Sequence, residues 1–296
     1  MWGLRGWTMT ARVLAWVLEQ LQNNSPVVLA SVVGTKGSVP GKTGARLAMN
    51  RHQDWVGTVG GAGLEHRILN RCKELIQDRK ATSEVHTFGL NKGAKGYEVQ
   101  PLDSLCGGQV TISLELMLPM PHVLLMGGGH CSEAISVLLP KKGWNYSVQD
   151  TREAFTTAEL YPHAVERHHS TVDSFFENET TQTLTRFSDV LLLGHDYSED
   201  LERLKHLLKI AESEDLVLDG KSFPRIGAIG SRSKWKSFTE SCIQSGIQNA
   251  TLESVRCPIG LNIGAESPEE IAIAVIAEIL SMHKDVDVHA PNWRDQ

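Results

Sequence analysis

The side chains of this chain that could do chemistry fall into four small groups. The first is Cys106, which stands before Gly107 and Gly108 in a loop leading into a strand. A thiolate there could accept or carry sulfur, or sit against a soft metal, provided its pKa falls below the usual ~8.5. The same thiol could equally be a small buried hydrophobe, the common state of a free cysteine. The second group is His195 with Asp196. It offers a proton carrier beside an acid, or a loop histidine beside a helix-leading acid. The third is Asp150 with Arg152, and the fourth is Ser231 with Arg232. Arg232 suits bidentate binding of a phosphate, or else is the solvated start of a helix.

These groups need a scaffold, and the stretch Pro121–Ser132, PHVLLMGGGHCS, supplies its centre. His122–Met126 is an apolar run of strand length. Gly127, Gly128 and Gly129 follow at once, then His130, and then apolar residues at helical spacing: Cys131, Ala134, Ile135, Leu138 and Leu139. Strand, glycine turn and helix together open a dinucleotide-type βαβ unit. The turn lets a phosphate approach bare amides at a helix N-terminus, which carries roughly half a positive charge. Asp150 closes the next strand about 20 residues on, the spacing at which an acid reaches a ribose hydroxyl. The third glycine of G-x-G-x-x-G is replaced by Ser132, small enough to keep helix and strand close. A structural turn that binds no phosphate is the alternative. In a doubly wound sheet the ligand lies at the carboxyl ends of the strands, where Asp150, Arg152, His195, Ser231 and Arg232 should gather.

The chain divides most naturally at Leu118-Pro119-Met120-Pro121, because two prolines interrupt helix and sheet alike. Residues 1–118 then form a smaller α+β domain, and 119–296 a Rossmann-like domain with a doubly wound parallel sheet. In the first, an amphipathic helix over Ala11–Gln22 precedes a β-branched strand, Val27–Val33, and a glycine-dense loop from Gly34 to Gly44. A second glycine stretch, Gly57–Gly63, leads into a helix with Glu65 in its first turn. In the second, strands are expected at Val165–His169, Ser188–Leu193 and Arg225–Ile229, with Ser198 capping the helix between the last two. Ser267 with Glu270 makes a capping box and Pro268 suits the first helical position, so the last helix runs from Pro268 to Met282.

Composition narrows the function. Formal net charge is -6 and Lys and Arg are scattered, so no basic face marks a nucleic-acid binder. Five cysteines, an odd number without a C-x-x-C pair, point to reduced thiols in the cytoplasm. No apolar run reaches the ~18 residues of a membrane span. The first ten residues lack the apolar core of a signal peptide. The scattered histidines lack metal-site spacing.

Taken together, the motifs resemble the XdhC/CoxI family of xanthine dehydrogenase accessory factors, from about Ala11 to Met282. The first domain carries Gly37-Ser38-Val39-Pro40, Gly57-Thr58-Val59-Gly60-Gly61, Leu64-Glu65 and Cys106-Gly107-Gly108. The second carries Gly127-Gly128-Gly129-His130, Asp150-Thr151-Arg152, His195-Asp196, Gly230-Ser231-Arg232 and the run from Pro258 to Glu266. The resemblance implies a chaperone, often dimeric, for the molybdenum cofactor (molybdopterin). It would bind and protect the cofactor, let a cysteine desulfurase place its sulfido ligand, and pass it to a xanthine dehydrogenase-type molybdenum hydroxylase. Gly127, Gly129 and Arg232 would hold phosphate, Asp150 a ligand hydroxyl or amine, and Cys106 would sit near molybdenum. The family's G-A-G-H-x-G turn differs here at Gly128 and Ser132. The Gly-Gly-Cys of CoxI-type members is Gly60-Gly61-Ala62 here, which sides the chain with the XdhC type. Two rival functions stay open: an NAD(P)-dependent oxidoreductase with His195 as proton carrier, and an adaptor that binds no cofactor.

Overall fold

The structure is a computed structural model that describes residues 8–78, 83–90, 99–101 and 107–290. The chain forms two compact units, Met1–Pro119 and Met120–Gln296.

The first unit is built on α1 (Met9–Gln22), β1 (Val27–Lys36), β2 (Arg46–Asn50), β3 (Trp55–Gly57), α2 (Ala62–Asp78), β4 (Ser83–Gly89), β5 (Val99–Pro101) and β6 (Gln109–Met117). Its six strands lie in the order β3-β2-β1-β6-β4-β5. All pairs are antiparallel except β4 with β5. Side chains of β1 alternate between faces. Val27 and Leu29 meet Val13 and Val17 of α1, while Val28, Ala30 and Val32 meet Leu64, Ile68 and Cys72 of α2. A strand covered on both faces needs no polar alternation, which is why Val27–Ala30 is apolar throughout.

The second unit contains β7 (His122–Met126), α3 (His130–Leu138), β8 (Asn145–Asp150), β9 (Arg167–His169), α4 (Val172–Glu177), α5 (Thr181–Leu184), β10 (Asp189–Leu192), α6 (Tyr197–Ser213), β11 (Arg225–Ala228), α7 (Arg232–Gln244), α8 (Asn249–Glu253) and α9 (Pro268–Lys284). Its sheet runs β11-β10-β7-β8-β9, and every pair is parallel. This is the doubly wound order with β7 at the centre. Leu124 and Met126 face α6 and α7, and Val123 and Leu125 face α3 and α9. Where a sixth strand would lie, one residue remains: Arg256 bridges Gly227 in parallel. It donates to Ile226 O and accepts from Ala228 N, and Ile259 N then donates to Ala228 O. The Ser267–Glu270 capping box and Pro268 open α9, as the sequence indicates. The cap of α6 is Asp196 and not Ser198, because the helix begins two residues earlier than its leucines suggest.

Candidate ligand crevice at the carboxyl edge of the parallel sheet

The order of the strands reverses between β7 and β10, and a doubly wound sheet offers its crevice at that point. Two glycines close the floor there. Gly127 has φ +103, and a Cβ on it would stand 2.5 Å from the N and Cα of Gly194. Its amide donates to Gln149 O at 2.8 Å. Ser132, in place of a third glycine, is buried, and its hydroxyl donates to Gly127 O. Close packing thus survives, with a bond added. Gly129 is the N-cap of α3 and makes no side-chain cap bond. His130 is the exposed first residue of that helix.

Asp150 is where the sequence puts it, but its oxygens are already engaged. Oδ2 accepts from Gly128 N at 2.7 Å and from Arg152 Nη2 at 2.9 Å. Oδ1 accepts from Arg152 N at 2.8 Å and Arg152 Nε at 2.9 Å. A carboxylate has about four acceptor positions, so a bond to a ligand hydroxyl requires one of these to be given up. Burial pushes the Asp150 carboxyl up, but the bonds from Arg152 and Gly128 outweigh it and hold it below the usual range. The departure at Gly128 also has a reason. A Cβ there would lie 2.1 Å from Phe155 O.

Of the helices that begin at this edge, the three that follow β7, β10 and β11 differ in their first turns. Asp196 caps α6, its Oδ1 accepting from Ser198 N at 2.7 Å and Glu199 N at 3.1 Å. Ser231 caps α7, its hydroxyl accepting from Lys234 N at 3.3 Å. Only α3 of the three lacks a side-chain cap, so no side chain competes for its first amides, although Glu133 stands in its first turn. Arg232 is exposed and has no bonded partner among the described residues. His195 is exposed beside Gly194. The edge therefore brings together Gly127, Gly128, Gly129, His130, Asp150, Arg152, His195, Ser231 and Arg232 at the ends of neighbouring strands.

Sequence reasoning missed a buried ionic group beneath this edge. Asp200 and Arg203 of α6 are both fully buried. Asp200 Oδ1 accepts from Gly194 N at 3.2 Å and Arg203 Nη1 at 3.1 Å, and its Oδ2 from Lys234 Nζ at 3.0 Å. Arg203 also donates to Gln149 Oε1 at 3.1 Å and Glu199 Oε2 at 3.3 Å. The group ties Gly194, and through it Gly127, to β8 and α7. A signal existed: Asp200, Arg203 and Leu207 share one helical stripe, so two charges stand in line with a core leucine.

The thiols are less informative. Cys106 lies outside the described residues. Gly107 O, next in the chain, is 3.8 Å from the position a Cβ on Gly37 would take. Burial pushes up the Cys131 thiol, with Glu269 adding to it. Burial also raises Cys257. Among the described residues no group of three or more His, Cys, Asp or Glu is placed to hold a metal ion, and no helix is long and apolar enough to cross a membrane.

Residues 123–279 match the XdhC Rossmann domain, and residues 20–89 match the XdhC and CoxI family. An uncharacterized protein of Escherichia coli strain K12, YqeB, is 27% identical over 261 residues, which is 88% of this chain and 44% of that protein. A probable xanthine dehydrogenase component of Bacillus subtilis strain 168 is 28% identical over 175 residues, 57% of this chain and 45% of that one. This chain thus spans under half the length of these two relatives. The molybdenum cofactor insertion chaperone PaoD of Escherichia coli strain K12 is 21% identical over 310 residues, covering 94% of this chain and 91% of that protein.

Proposed function

The chain belongs to the XdhC and CoxI family, and from that premise we propose that it is a maturation chaperone for a molybdenum hydroxylase. Its cargo is the molybdenum cofactor, whose phosphate end lies over Gly127 and Gly129 and is met by Arg232. Asp150 and Arg152 face the organic part of the cargo. Cys106 supplies a soft ligand or sulfur acceptor near molybdenum. A cysteine desulfurase places the sulfido ligand, and a xanthine dehydrogenase-type enzyme receives the finished cofactor. The protein works in the cytoplasm as a homodimer, without turnover chemistry of its own.

The observation that carries this reading is the uncapped start of α3 at the switch point, set against capped α6 and α7. A phosphate is the natural partner of such a turn. The likeness to PaoD over 94% of the chain supports this particular phosphate ester as cargo. A second reading, an NAD(P)-dependent oxidoreductase with His195 as proton carrier, draws on the strand order. It is weakened by Asp150, whose acceptor positions are filled from within.

The test is co-expression with an active molybdenum-cofactor pathway, followed by quantification of molybdenum, pterin, NAD and NADP per purified chain. Near-stoichiometric pterin, reduced in Cys106→Ala, is expected. Nicotinamide nucleotide without pterin would establish the oxidoreductase instead. Neither ligand would favour an adaptor.

A further inference from the structure

Arg152 has a more defined state than a residue that only neutralises Asp150 would need. Its guanidinium donates two parallel bonds to the buried carboxylate, from Nε and Nη2, both at 2.9 Å. One of its faces lies on the Phe155 ring, 3.8 Å from the centroid. Its backbone amide is tied to the same carboxylate at 2.8 Å. The side chain nevertheless keeps 34% of its surface exposed. Asp150 takes one edge of the guanidinium and Phe155 one face, and Nη1 has no bond among the described residues. The result is a flat, oriented cation whose charge is largely compensated and whose side chain is one-third exposed. Compensation weakens it as an anion hook. Planarity, weak hydration and fixed orientation suit it to stacking.

We infer that Arg152 is a stacking platform for a flat heteroaromatic ring, a pterin or a purine, that belongs to the same ligand as the phosphate over the glycine turn. The inference rests on the reading above that this crevice holds a ligand. Its position fits. Gly128 N and Arg152 Nη2 bond the same oxygen of Asp150, at 2.7 and 2.9 Å, so the platform adjoins the turn. Asp150 then has a role different from the one its spacing suggests. It does not read a ribose; it holds the plate on which a ring lies. Nη1, which makes no bond among the described residues, remains as a donor to ring nitrogen or oxygen at the rim.

The experiment uses the full chain and three probes: ADP, neopterin triphosphate and inorganic pyrophosphate, each titrated by calorimetry. In the wild type at least one ring-bearing probe should bind about ten-fold tighter than pyrophosphate. Arg152→Lys keeps the charge and loses the plane, and should remove about three- to ten-fold of the ring-bearing affinity. Phe155→Leu leaves the Asp150 pair intact and should remove a smaller part. Both variants should leave pyrophosphate binding within about two-fold, and both should reduce the quenching of pterin fluorescence on binding. Equal affinity for ring-bearing and ring-free probes in the wild type would overturn the inference. So would equal weakening of both in Phe155→Leu, the variant that preserves the ion pair. The arms also separate this inference from the cargo. Preference for ADP, lost in Arg152→Lys, keeps the platform while removing support from the chaperone. Molybdopterin that co-purifies undiminished with Arg152→Lys keeps the chaperone and removes the platform.

Discussion

Gly60 in the first unit and Gly127 in the second make the same kind of contact. An added Cβ would stand 2.3 Å from Gly41 in one case and 2.5 Å from Gly194 in the other. Their surroundings differ. Among the described residues, the buried polar side chains of the first unit are Asn24, Ser25 and Asn50, all uncharged. The second unit buries Asp150, Asp189, Asp200 and Arg203. Three of these four gather at the carboxyl edge of the sheet, under the turn that Gly127 forms. Close glycine packing is thus a general means of joining two loops. At the candidate crevice it is backed by buried, compensated charge, which is costly and often accompanies a site.

The sharpest test of that contrast is Arg203→Met. It leaves Asp200 buried with Lys234 as its remaining cation, and urea denaturation should show a loss of about 3–5 kcal/mol. Arg71→Met in the first unit breaks a pair with Glu84 and Glu74 that is partly exposed, and should cost about 1 kcal/mol or less. Equal costs would remove the distinction between the units.

Acid should separate them next. Burial pushes His122 of the second unit down to about 4. Its unfolded value is about 6.5, so the unfolded chain takes up the proton first. Stability is therefore lost as pH falls from about 6.5 to 4, by an amount on the order of 3 kcal/mol. In the first unit the bond from Arg71 holds Glu84 at about 2. That contribution is present above the unfolded carboxyl value near 4.3 and is lost only as pH falls through it towards 2. Hydrogen exchange followed by mass spectrometry should show the second unit weakening at the higher pH, and His122→Asn should flatten that part of its slope.

Gly60→Ala and Gly127→Ala should each cost about 1–3 kcal/mol, because backbone must move in both. Gly129→Ala meets nothing within 4 Å and should cost about 0.5–1 kcal/mol, the loss of a favourable N-cap residue, which makes it the gentlest of the three glycine variants. Asp196→Ala should lower thermal stability by about 1 kcal/mol, from a lost cap.

Much of the second unit was legible because its signals are local. A strand, three glycines and an apolar helix stand in one stretch, and the cap of α9 is spelled by Ser267, Pro268 and Glu270. What escaped depends on contacts distant in the chain. The leucine stripe hints that Arg203 is buried, but its partner Gln149 lies 54 positions away. Asp150 reads as a ribose ligand until Gly128 and Arg152 are seen to fill it. The cap of α6 was misplaced because Asp196 and Ser198 are both good cap formers and only the backbone chooses between them. The short β5 escaped because three residues, Val99–Pro101, carry no usable period.

The one-residue remnant at Arg256 has a consequence for how this protein can be approached. Bonds from Arg256 and Ile259 occupy both polar groups that Ala228 turns outward, and the chain then leaves the sheet. The opposite border, β9, is only Arg167–His169. Exposed borders of this kind invite another chain to add a strand, and shortening or covering them is the usual protection. A partner protein that docks on this unit cannot do so by β-augmentation along β11. On that side recognition falls to side chains, which can change without change in the sheet.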